Sequence, residues 1–80
     1  MSIDQDIHQL ESAKDIRFDD LMAIATRHFG QPRNSGSSHY VYKTPWPGKP
    51  WVNLQRDGKN AKRYQIKQVL AALKRKRGIL

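Results

Sequence analysis

Two stretches of the chain carry apolar residues at the spacing of a helix face. Phe18, Leu21, Met22, Ile24, Ala25 and Phe29 form one stripe; Ile66, Val69, Leu70 and Leu73 form the other. The first predicts a helix that runs from Phe18 and closes at Gly30, with Pro32 just beyond. Asp19 or Asp20 is its expected N-cap, and Arg27 and His28 occupy its last turn, where cations suit the helix dipole. The second predicts a helix from about Tyr64 to Lys76. Nearer the start, Ile7, Leu10 and Ala13 recur every third residue and predict a short, weakly capped helix within 5–14.

Between the two stripes the period drops to two. Ser38–Thr44 reads as a strand rich in β-branched and aromatic residues, and Trp51–Gln55 as a second one. Pro45, Pro47 and Pro50 exclude strand interior between them, and Pro47-Gly48 fits the centre of a type II turn. In the second strand Val52 and Leu54 share one face, leaving Trp51, Asn53 and Gln55 on the other. Asp57-Gly58 is a hairpin signal, so a short third strand is expected around 60–63. Two amphipathic helices and one small antiparallel sheet make an α+β two-layer sandwich, ordered helix-strand-strand-(strand)-helix, with both helices on one sheet face. Residues 1–15 read as an acidic extension and 16–80 as the domain itself.

Charge adds what periodicity cannot. Residues 1–20 hold six of the seven acids against Lys14 and Arg17, whereas 21–80 hold thirteen Lys and Arg against Asp57 alone. So basic a body favours a polyanion such as RNA, or an acidic protein competing for the same surface; the plainer reading is a solvated face. The acidic N-terminus could then shield the basic face. Cysteine is absent, which excludes disulfides and thiolate metal sites, and His8, His28 and His39 lack ligand spacing. No apolar run reaches membrane-spanning length and the first residues are acidic, which points to a soluble, cytoplasmic protein.

Candidate chemistry concentrates in Asn34-Ser35-Gly36-Ser37-Ser38-His39-Tyr40-Val41-Tyr42-Lys43-Thr44. A glycine- and serine-rich turn delivers His39 to the first residues of a strand, where a rigid element meets an open loop. Tyr40 and Tyr42 share one parity and His39, Val41 and Lys43 the other; both sets are amphipathic, so the face taken by His39 stays open. RNA carries its own nucleophile, the 2′-OH, and cleavage to a cyclic phosphate requires neither metal nor small-molecule cofactor. It does require a base that works near neutrality, which histidine offers, and cations against the growing phosphate charge. Lys43, Lys59, Lys62 and Arg63 are candidates for that charge, Ser37 and Ser38 for a hydrogen bond, and Lys67 for a further phosphate contact. Each has a plain alternative: His39 as a hydrogen-bonded surface residue, the Ser-Gly run as a flexible loop, Trp46 and Trp51 as core plugs, and Lys74–Arg77 as a solvated helix end.

The Gly36-Ser37-Ser38-His39 turn opening Tyr40-Val41-Tyr42, with Lys62-Arg63-Tyr64-Gln65-Ile66 leading into the last helix, resembles HicA-type messenger-RNA interferase toxins over roughly residues 18–74. The resemblance implies a fold similar to a double-stranded RNA-binding domain, catalysis by His39, mRNA as substrate and a HicB-type antitoxin that covers the histidine. The chain departs from the family in its Pro/Trp loop, its N-terminal extension, and Gln55-Arg56 where many members carry a second histidine. Two functions are therefore expected to compete: a metal-independent endoribonuclease toxin, and a non-catalytic double-stranded-RNA-binding module that uses the same basic surface.

Overall fold

The fold is described from a computed structural model of residues 2–34, 36, 38–47 and 52–78. Its elements are α1 (Ile3–Ser12), α2 (Phe18–Phe29), β1 (His39–Tyr42), β2 (Val52–Gln55) and α3 (Arg63–Gly78). β1 and β2 pair antiparallel, and the three helices pack with them into one α+β core, as the patterning predicts. Trp51 and the Pro47-Gly48 turn expected from the sequence fall at least partly outside the described residues.

α1 is better built than its sequence suggested. Ser2 and Gln5 form a capping box: Ser2 Oγ accepts from the Gln5 N–H, and Gln5 Oε1 accepts from the Ser2 N–H. Ile7 and Leu10 are buried with Ile16, Phe18, Leu21 and Leu73, so the segment read as an extension belongs to the common core. α2 is capped differently from expectation. Its N-cap is Arg17 and makes no side-chain cap bond, while Asp19 and Asp20 lie in the first turn. The Phe18 N–H, one of the first-turn donors with no acceptor inside the helix, donates to the Lys59 carbonyl at 2.8 Å. At the other end Gly30 takes φ +83°, the left-handed region that lets the chain leave the helix.

That same Lys59 contact explains why no third strand forms among the described residues. Phe18 N–H to Lys59 O and Ala61 N–H to Ile16 O bracket an isolated bridge between Arg17 and Asn60. Segment 59–61 thus pairs with the α1–α2 connection and not with β2. Gly58, at φ +84°, turns the chain into that path.

The sheet edges are closed by other means. Residues that point their backbone groups away from the partner strand find substitutes. On β1, Val41 exchanges two backbone bonds with Arg33, at 2.8 and 3.0 Å, and the His39 carbonyl accepts from Asn34 Nδ2. On β2, Gln68 of α3 accepts from the Asn53 N–H at 2.6 Å and donates to its carbonyl at 2.9 Å, while Gln65 Nε2 donates to the Gln55 carbonyl. Two helix-borne amides thus replace part of a third strand.

Tyr42, Val52, Leu54, Ile66, Val69 and Leu73 bring the sheet and α3 together, and all are buried. Tyr42 takes its hydroxyl into this layer, where it meets Thr26 Oγ1 at 2.9 Å and donates to the Met22 carbonyl. Burial pushes the phenol's pKa up, so it stays a hydroxyl. Among the described residues no helix is long and apolar enough to cross a membrane.

Candidate nucleic-acid interface

The register decides which way His39 faces. Tyr42 is opposite Val52 and Tyr40 opposite Leu54, and Val52 and Leu54 are buried. The tyrosines therefore belong to the inner face, and His39 and Val41, opposite Gln55 and Asn53, belong to the outer one. His39, Asn53 and Gln55 are exposed there. Arg33, paired directly with Val41, shares that face, so one row crosses the sheet as Arg33, Val41 and Asn53.

The turn before β1 is shaped by Asn34. Its Oδ1 accepts from the Gly36 N–H at 3.0 Å and its Nδ2 donates to the His39 carbonyl at 2.8 Å. Gly36 adopts φ +85°, as expected for a glycine in this turn. A single amide thus ties the loop to the first residue of the strand. Ser38 is exposed and its carbonyl accepts from the Arg56 N–H, while Ser37 lies outside the described residues.

The predicted cations divide into two groups. Lys59, Lys62 and Arg63 follow β2 at the Gln55 end, the end that holds His39. Lys62 approaches Asp57 at 3.4 Å, Arg63 donates to the Lys14 carbonyl, and Lys67 is exposed one helical turn after Arg63. Lys43 shares the outer-face parity of His39 but lies four residues on, about 13 Å along the strand. It therefore stands apart from the cations near His39. No acidic residue occupies the first turn of α3, an arrangement that leaves its positive end to outside anions.

Two clefts lie beside Lys43. One of about 360 Å³ is lined by Phe29, Gln31, Pro32, Arg33, Val41 and Lys43. The next, about 250 Å³, shares Phe29 and Lys43 with it and adds His28, Thr44, Pro45 and Lys76. Trp46, read from the sequence as plug or contact, is half-buried, edge-on to Phe29 at 6.2 Å, with the Arg75 guanidinium 4.6 Å over its ring.

Three of the seven acids are used elsewhere. Asp6 is fully buried; Arg27 Nη1 reaches both of its oxygens at 2.8 and 2.7 Å, and His28 Nε2 lies 2.6 Å from Oδ2. Burial alone would raise the Asp6 pKa, but the hydrogen bonds and charges of His28 and Arg27 outweigh it and hold the carboxyl below its usual value. His28 thus has a partner beyond the helix dipole, and Lys76 donates to its backbone carbonyl. Asp4 pairs with Arg77 and Glu11 with Lys74, so α1 covers the basic end of α3 and not the outer sheet face. Among the described residues, no carboxylate forms an ion pair with Arg33, Lys43, Lys59 or Lys67.

The site was only partly legible in advance. Arg33 and Phe29 were not expected in it, since Arg33 carried no assigned role and Phe29 belonged to the apolar stripe. Asn34 opened the motif without an assigned role. No group of three or more His, Asp or Glu side chains among the described residues is arranged to hold a metal ion. No family model matches the chain, and no curated protein or solved structure shows significant similarity to it.

Proposed function

We propose that this chain is a metal-independent endoribonuclease of the HicA toxin type, acting on mRNA in the cytoplasm through His39 and neutralised by a HicB-type antitoxin. The observation that carries the reading is the outer sheet face. An exposed histidine stands at a strand start, held through Asn34, on a face whose cations Arg33 and Lys43 form no ion pair among the described residues. In this reading the His39 imidazole takes the proton from a ribose 2′-OH. The 2′-oxygen attacks the adjacent phosphorus, the bond to the 5′-oxygen breaks, and the products are a 2′,3′-cyclic phosphate and a 5′-hydroxyl. Lys59 and Lys62, on the same end of the sheet, offset charge on the phosphate oxygens. With one histidine in the site, the leaving oxygen takes its proton from water or a lysine, and turnover is slow.

The test is degradation of a labelled transcript in EDTA by wild type and His39→Ala. Wild type should cut despite the chelator, and the variant should be slower by about 10²- to 10⁴-fold. Equal RNA binding by both proteins without cleavage by either would replace the nuclease with a binding module.

A further inference from the structure

We infer that the cleft between Phe29, Pro32, Arg33, Val41 and Lys43 is a nucleotide subsite for single-stranded RNA, beside the position that His39 addresses. The inference rests on the RNA reading above and adds the substrate class and a second set of contacts. Three features favour it. First, the cleft's volume, about 360 Å³, falls within the range of small-ligand pockets. Second, its lining combines the ring of Phe29 with Pro32 and Val41 for a base and the cationic heads of Arg33 and Lys43 for a phosphate. Neither cation forms an ion pair among the described residues, and both are exposed.

Third, the spacing fits a chain that continues from the reacting site. Val41 lies two residues from His39 on the same sheet face, about 7 Å along the strand. That step is short enough for the nucleotide next to the scissile phosphate to reach the cleft. A recess with an apolar lining selects for single strands. Stacking hides the base faces of a duplex and pairing occupies its edges, whereas an unpaired base can leave its neighbours and enter. Arg33 is well placed to define the subsite because its backbone, through the two bonds to Val41, holds it as an extra residue on the sheet edge.

The experiment measures anisotropy of a labelled 2′-O-methyl heptanucleotide, which lacks the nucleophile and cannot be cut, over a salt series. A blunt 2′-O-methyl duplex of the same sequence is the comparison, and Lys74→Ala, which matches Lys43→Ala in charge, is the control. Arg33→Ala/Lys43→Ala should weaken single-strand binding at least about tenfold and flatten its salt slope by about 1.4, two phosphate contacts' worth. Its duplex affinity should fall less than about threefold, and Lys74→Ala should change neither. Lys43→Ala alone should show half that change in slope, which keeps the test open should the double variant fold poorly. Single-strand binding unchanged in the variants, or lost in parallel with duplex binding, would overturn the subsite. Failure of wild type to bind either probe would instead overturn the RNA reading beneath it.

Discussion

Asp6 and His39 sit in opposite surroundings within one small domain. Asp6, in the first turn of α1, is sealed from solvent beneath Arg27 and His28 at the end of α2. His39 stands exposed on the sheet, on a face whose cations Arg33 and Lys43 have no carboxylate paired with them among the described residues. Of the six acids in the first twenty residues, three go to one flank, Asp6 to α2 and Asp4 and Glu11 to the end of α3, while Asp19 pairs with Arg56 just after β2. Net charge therefore understates how basic the other flank is. The expected shielding of the basic face by the acidic N-terminus holds only at the end of α3, where Glu11 and Asp4 meet Lys74 and Arg77, and not on the outer sheet face. α1 neutralises the helix ends and leaves the sheet bare, and cutting it away would remove Ile7 and Leu10 from the core.

The contrast can be broken most severely at Asp6. Asp6→Asn leaves Arg27 and His28 without their carboxylate and should cost about 3 kcal/mol in urea unfolding at neutral pH. The acid limb gives an independent check. The folded pKa of Asp6 lies below 3.8, so its contribution is fully present above that value and is lost as pH falls through the depressed one. Wild type should therefore lose urea resistance below about pH 4 more steeply than the Asn variant; parallel curves would deny Asp6 this role.

A smaller effect separates the two histidines. His28→Ala leaves Asp6 buried with Arg27 as its remaining partner and should destabilise by about 2 kcal/mol. His39→Ala, on the exposed face, should stay within about 0.5 kcal/mol of wild type while losing cleavage. If both variants melt alike, the division of labour between the flanks is wrong. The smallest effect belongs to the exposed pair of Glu11 and Lys74, where Glu11→Gln should give no measurable change in the thermal midpoint.

What could be read in advance follows from the range of the interactions involved. The stripes Phe18–Ala25 and Ile66–Leu73 and the alternation of Val52 and Leu54 are local, and each element appears with those residues buried, Met22 and Leu70 only partly. The buried triad was not legible, because an aspartate reads as surface and its partners lie 21 and 22 residues away. Segment 59–61 pairs with the α1–α2 connection for the same reason: the competing contact is with residues 16–18, far off in sequence. His39 was legible as the start of a strand from its glycine-serine turn. Its face was not, since both parities of 39–43 are amphipathic and only the pairing with Val52 and Leu54 separates them. Arg33 entered the site through a bridge to Val41 that no local pattern announces.

The glutamines at the sheet edge have a consequence for assembly. A two-stranded sheet ordinarily invites a visiting strand, either a partner's in β-augmentation or a second copy's in aggregation. Here Gln68 occupies the N–H and C=O that Asn53 would offer to such a visitor, Gln65 takes the Gln55 carbonyl, and Arg33 holds the opposite edge. Strand addition would have to displace these bonds before gaining its own. For any partner, pairing backbone to backbone is thus the costlier way onto this sheet, and side-chain contact with the exposed Arg33 and Lys43 the cheaper one.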